Sequence, residues 1–163
     1  MPVTVYVDGA SRGQGVTPGV HGEGAVGVVI YRNNQLVGHY GRGIGKTTNN
    51  AAELEAILTG VMLCWANPDL VDPVIYSDSQ LACNLVNRHW FCNNEALRPI
   101  LLSIHEIQEV FRFRVIQVPR KEVAEADQMA KKFLDKLHHK LVEEDALRRE
   151  HLRKRRTKSR KNI

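Results

Sequence analysis

Apolar and polar positions alternate from Val3 to Asp8, so that Val3, Val5 and Val7 share one face of a strand and Thr4, Tyr6 and Asp8 the other. A glycine-rich stretch from Gly9 to Gly24 follows; it reads as a loop longer than most connections and therefore as a functional one. Ala25 to Tyr31 is a second, mostly apolar strand. Asn33-Asn34 signals a hairpin turn, and Gln35 to Gly43 returns as a third strand. The period then changes. Leu54, Ile57, Leu58, Val61 and Trp65 recur at helical spacing over Ala51 to Ala66, with Thr48, Asn49 or Asn50 as the cap and Asn67-Pro68-Asp69 as the stop. Val74 to Ser77 is a fourth strand, followed by a short helix from Ser79 to about Asn87. Glu95 to Val110 is a further helix with Pro99 in its first turn, and Arg112 to Val118 is a fifth strand that Pro119 ends. The last helix starts near Val123 and runs past Glu144.

The order β-β-β-α-β-α-α-β-α predicts an α/β fold. An antiparallel meander of three strands joins two strands reached through helices; these last run parallel to the first, by right-handed crossovers. The result is a mixed five-stranded sheet with helices on both faces. Hydrophobic content of 43% and charged content of 25% are those of a globular chain, and the apolar runs are too short to span a membrane. Cys64, Cys83 and Cys92 lack metal-site or redox spacing and read as reduced thiols, which with the missing signal-type N-terminus points to the cytoplasm. The net charge of +5 is concentrated at the end: Arg148 to Ile163 holds nine Lys or Arg against one Glu, leaving the preceding body mildly acidic. Two regions follow, a catalytic-type domain over 1–140 and a basic extension over 141–163, helical and then disordered, whose removal should weaken contact with nucleic acid.

The acidic residues carry the chemistry. Asp8 and Asp78 each follow a strand, each preceded by Tyr-Val or Tyr-Ser, and neighbouring parallel strands would put them side by side at the carboxyl edge where ligands bind. In the last helix Asp127 falls at the margin of the stripe formed by Ala126, Ala130, Phe133, Leu134, Leu137 and Leu141, whereas Glu125 points away. In the first helix Glu53 and Glu55 flank the apolar stripe symmetrically, and the pattern does not choose between them. Converging carboxylates repel one another, which calls for raised pKa values or bound cations. The set reads as a cage for two divalent metals used in phosphodiester hydrolysis. A nucleotide phosphate loop at Gly41 to Thr47 fails on spacing, because Tyr40 stands where its first glycine belongs.

The segments Val7-Asp8-Gly9-Ala10-Ser11, Thr47-Thr48-Asn49-Asn50-Ala51-Ala52-Glu53, Ser77-Asp78-Ser79-Gln80 and Glu125-Ala126-Asp127 resemble, in order, the active-site motifs of type 1 ribonuclease H. The resemblance spans Val3 to about Lys136 and selects Glu53 over Glu55. It implies the ribonuclease H fold and cleavage of the RNA strand of RNA–DNA hybrids; a monomer is the expected state. It implies two Mg²⁺ ions, replaceable by Mn²⁺, with Asp8 bridging, Glu53 and Asp78 on one ion and Asp127 on the other. Gly9, Asn49, Asn50, Ser79 and Gln80 take the positions of residues that read sugars and minor-groove edges, and Lys46 and Thr48 those of a pocket for a DNA-strand phosphate. Pro119 to Ala126 contains no histidine, unlike many relatives, and resembles the subgroup without it; Glu122 or a water is the expected substitute. The lysine- and tryptophan-rich protrusion of many relatives is also missing, with Arg88-His89-Trp90 and Arg98 in its place and Trp90 read as packing. Two rival classes share the fold: a resolvase- or transposase-type DNA nuclease and a noncatalytic nucleic-acid-binding module.

Overall fold

A computed structural model describes residues 2–12 and 22–161. Five strands form one sheet in the order β3-β2-β1-β4-β5: β1 (Val3–Arg12), β2 (Gly22–Arg32), β3 (Gln35–Thr47), β4 (Val74–Ser77) and β5 (Arg114–Gln117). The first three are antiparallel neighbours, and β4 pairs in parallel with both β1 and β5, as the crossover rule requires. The β2–β3 turn holds Asn33 and Asn34 at φ of 53° and 61°, the left-handed pair that a two-residue hairpin needs.

The helices are α1 (Asn49–Trp65), α2 (Gln80–Val86), α3 (Arg98–Gln108) and α4 (Ala124–Lys161), the last preceded by a single 3₁₀ turn over Arg120–Val123. The main core lies where Val3, Val5, Val7, Val26 and Val28 of the sheet meet Leu54, Ile57 and Val61 of α1, with Ile104 of α3 closing the layer. On the opposite face α4 is held by a thinner layer of Ala25, Ala130 and Leu134. Trp65, assigned by periodicity to the α1 stripe, is instead half exposed at the last turn of the helix, lining an open hollow with Met62 and Ile107.

Two glycines set the depth at which the helices sit. A Cβ on Gly9 would lie 2.1 Å from the carbonyl oxygen of Ala52, and one on Gly27 would lie 1.9 Å from that of Ala126. Both neighbours are backbone and cannot rotate aside. Removing those two Cβ atoms lets α1 and α4 approach β1 and β2 closely, and the residues after the contact points are Glu53 and Asp127.

The sequence pattern needs correcting in three places. Gly9–Arg12 and Gly22–Gly24 are strand, not loop, because the antiparallel ladder continues to Arg12 opposite Glu23; only residues 13–21 of the expected loop lie outside the described part. Asp8 is therefore inside a strand. It still stands at an edge, since the parallel β1–β4 ladder ends at Tyr6 opposite Tyr76 and β4 falls away beyond it. In the extension, α4 stays helical to Lys161 where a change to disorder was expected: no Gly or Pro interrupts it, and Asp145–Arg149 and Glu150–Lys154 pair across successive turns.

Candidate active site

A cleft of about 460 Å³ opens where β4 leaves β1, between the start of α1, the start of α2 and the first turns of α4. Asp8, Glu53, Asp78 and Asp127 all line it. The first three converge most tightly, with one carboxylate oxygen of each lying within 4.8 Å of the others. Asp127 stands outside that trio and reaches Asp8 through a hydrogen bond, while Lys131, one turn later on α4, pairs with it at 2.7 Å.

Local structure places each group. Asp8 is turned to the α4 side of β1 by strand alternation, opposite Gly27, and is only 5% exposed. Thr48 caps α1 through a hydrogen bond from the Ala51 N–H, so the cap is neither asparagine, and Glu53 follows in the second turn. Ser79 caps α2 by accepting from the Ala82 N–H, which ends β4 so that Asp78 is left at the junction.

Electrostatics is what distinguishes this cluster from four structural carboxylates. Burial, the Glu53 charge, hydrogen bonds to Asp127 and Glu53, and the Asp78 charge push Asp8 up to about 10 from an ordinary 3.8. Glu53 is pushed up to about 7, by burial first and then by Asp78, against opposing hydrogen bonds from Asp8 and the Gly9 N–H. For Asp127 burial raises the value, but Lys131, the hydrogen bond from Asp8 and the Arg120 charge together bring it below the usual range. Without cations, then, Asp8 keeps its proton and donates it to its neighbours. Oε2 of Glu53 is buried with no hydrogen-bond partner among the described residues. An orphaned carboxylate oxygen beside a carboxyl that resists ionisation is a costly arrangement for packing alone. It suits hard divalent cations, which take oxygen ligands and offset the repulsion.

Of the residues assigned to substrate, Gly9, Asn49, Asn50 and Ser79 line the cleft. Asn49 Oδ1 accepts from the Ser11 N–H at 3.0 Å, which fixes the amide and keeps its NH₂ as a donor. Gln80 is exposed on the first turn of α2, outside the cleft lining. Lys46 and Thr48 also lie outside it: Lys46 is exposed at the end of β3 opposite Glu23, and the Thr48 hydroxyl is engaged in capping.

Several features did not emerge from the sequence. Arg12, Arg120 and Lys131 line the cleft, and the last two lower Asp127. The four-residue step from Asp127 to Lys131 was the available signal for one of them. Glu122 does not face the cleft; it lines a separate hollow with Tyr6 and Tyr31, so it is misplaced to stand in for a loop histidine. Glu125, which points away from the apolar stripe, accepts from the Tyr31 hydroxyl at 2.9 Å. Trp90 is 47% exposed and its neighbour Phe91 95% exposed, so the α2–α3 connection presents rings to solvent where packing was expected.

The RNase H family model matches residues 1–146. The chain belongs to the RNase H family. A ribonuclease H of Lachnoclostridium phytofermentans is 39% identical over 93 residues, 55% of this chain and 54% of that protein. Ribonuclease HI of Halobacterium salinarum is 32% identical over 135 residues, 82% of this chain and 64% of its own length. The chain thus spans between half and two thirds of these relatives. The crystal structure of RNase H1 from Halobacterium salinarum is similar at a TM-score of 0.74 with 30% identity, covering 83% of this chain and 99% of that one. LC11-RNase H1, solved in complex with an RNA/DNA hybrid, gives 0.73 with 25% identity and covers 83% and 98%. The five-stranded mixed sheet is the fold these RNase H structures share. Among the described residues no helix is long and apolar enough to cross a membrane.

Proposed function

We propose that this chain is an endonuclease that hydrolyses the RNA strand of RNA–DNA hybrids, using two divalent cations and leaving 5′-phosphate and 3′-hydroxyl ends. One observation carries the reading: in an RNase H family chain, four carboxylates line one cleft, where Asp8 resists ionisation and Glu53 Oε2 has no partner. Asp8, Glu53, Asp78 and Asp127 would hold the cations, Mg²⁺ or in its place Mn²⁺. When bound, such ions polarise a phosphoryl oxygen and make a bound water acidic enough to attack at neutral pH.

The chain's own residues orient the substrate. Gly9 and Ser79 line the cleft beside the carboxylates, next to Asp8 and Asp78 in the chain, where they would meet a sugar. The amides of Asn49 and Asn50 both donate and accept, which is what reading a 2′-hydroxyl requires. Arg120 and Lys131 balance part of the negative field at the rim, so that a phosphate can approach. Gln80, Lys46 and Thr48 belong to a wider footprint; Lys46 would grip a phosphate as a point charge, without the two-pronged fork of arginine. All of the carboxylates come from one chain, which supports action as a monomer.

The test offers end-labelled RNA–DNA hybrid, duplex RNA and duplex DNA to the protein in Mg²⁺. Cleavage confined to the RNA of the hybrid, and abolished by chelator, is the expected result. Equal cutting of duplex DNA would move the chain to the resolvase or transposase class, and binding without cutting would make it a noncatalytic module.

A further inference from the structure

The part of α4 beyond the sheet has a charge pattern that the catalytic reading leaves unused. Leu134 is its last buried residue, and every residue from Val142 to Lys161 is exposed. No carboxylate occurs after Glu150. Within this free helix four of the arginines share a row, while Arg148 and Arg155 fall on a different side. At about 100° per residue, Arg149, Arg153, Arg156 and Arg160 fall in one arc of about 60°, while Lys154, Lys158 and Lys161 form a second row on nearly the opposite side. Arg149 pairs with Asp145 at the near end of the row; no ion pair engages Arg153, Arg156 or Arg160 among the described residues.

Projected back along the helix by the same turn angle, the arginine row meets the catalytic cleft. Lys131 lies within about 10° of its centre line and Asp127 within about 50°. Both residues line the cleft. The side of α4 that presents Asp127 to the carboxylate cluster is thus continuous with the side that carries the arginines. At about 1.5 Å per residue the row begins about 33 Å from Asp127 and ends about 50 Å from it. Successive phosphates on one strand advance about 3.4 Å along the duplex axis, so that span corresponds to about 10–15 base pairs.

From this placement we infer that Arg149, Arg153, Arg156 and Arg160 form a second, distal site for the phosphate backbone of the same duplex whose scissile bond lies at Asp8, Glu53, Asp78 and Asp127. The inference rests on the reading of the cleft as a duplex site and adds a length requirement to it. Guanidinium groups match phosphate oxygens in pairs, which lysine cannot do, so the arginine row suits a phosphate backbone better than the lysine row does. A lipid surface fits less well. Val142, Leu147 and Leu152 are scattered around the helix and make no apolar side to enter a bilayer.

The test measures fluorescence anisotropy of hybrids of about 10 and about 24 base pairs in chelator, where nothing is cut, over a range of salt. It compares the full chain, an R149Q/R153Q/R156Q/R160Q variant and a K154Q/K158Q/K161Q variant. Glutamine keeps helix propensity, and none of these side chains packs against the body. The full chain and the lysine variant should favour the long hybrid by tenfold or more. The arginine variant should lose most of that preference, bind the short hybrid as before, and show a salt slope lower by about 3–4. Equal weakening by both variants on both lengths would mean net charge alone and would overturn the inference. So would an arginine variant with an unchanged length preference, or arginines needed for phosphatidylserine vesicles and not for duplex. Failure of the full chain to cut hybrid in Mg²⁺ would instead remove the proposed activity while leaving the distal contact standing on these isotherms.

Discussion

Glu53→Gln should abolish cleavage and, in chelator, leave the protein as stable as the parent or more so. Glu53 sits between Asp8 and Asp78 with one oxygen buried and unpartnered, and the neighbouring charges already push it up to about 7. Glutamine keeps the volume, removes a negative charge and supplies an NH₂ that Asp8 can accept. The cost falls on function, because the amide is a poor ligand for a hard cation. Activity should drop by at least about 10²–10³-fold, the scale on which losing one preorganised electrostatic group acts. Thermal melts with and without Mg²⁺, beside a hybrid cleavage assay, check both halves. A carboxylate kept for structure would behave oppositely, losing stability in chelator while sparing activity. The same trade is expected for Asp8 and Asp78.

In chelator, stability should fall as pH rises, and Mg²⁺ should remove most of that fall. Asp8 at about 10 and Glu53 at about 7 bind protons more tightly folded than unfolded, where their values are the ordinary 3.8 and 4.5. Between the unfolded and folded values the native chain holds more protons than the unfolded chain, so stability declines with pH through that interval. The decline should start above about pH 4, be steepest up to about pH 7 while both groups hold extra protons, ease once Glu53 has lost its proton, and continue toward pH 10. Asp127, held below its usual range, works the other way and matters only in acid, where stability is lost as pH falls through its folded value. Cations replace the protons as the source of positive charge, which is why they should flatten the profile above neutrality. Melting temperatures from pH 5 to 9, in chelator and in Mg²⁺, decide this. Parallel curves would show that the carboxylates do not share a cation.

The mixed sheet could be read from the chain because a hairpin signal joins the second and third strands and helices separate the strands that run parallel to the first. Asp8, Asp78 and Asp127 were marked by where they stand in those patterns, at a strand edge or at the margin of a helix stripe. Glu53 was not, since Glu55 flanks the same stripe symmetrically; what separates them is the close approach of Gly9 to Ala52, a tertiary contact. The length of β1 was hidden for a similar reason. Glycine and alanine at positions 9, 10, 22 and 24 look like loop locally, yet the antiparallel ladders run through them. Lys131 is signalled only by its four-residue step from Asp127, and Arg120 carries no periodic signal, so only the fold brings it into the cleft. The ring of Trp90 looks like packing in a one-dimensional reading; in the fold it lies half exposed on the α2–α3 connection. Patterns fix which face of an element is buried. They do not fix which elements meet at their ends, and the cleft is built from ends.

The most direct test of the carboxylate cage is anomalous diffraction from crystals of the protein soaked in Mn²⁺. An anomalous peak among the oxygens of Asp8, Glu53 and Asp78, lost in Glu53→Gln crystals, is the expected result. Carboxylates that stay empty at saturating Mn²⁺, or a peak held elsewhere on the molecule, would contradict it.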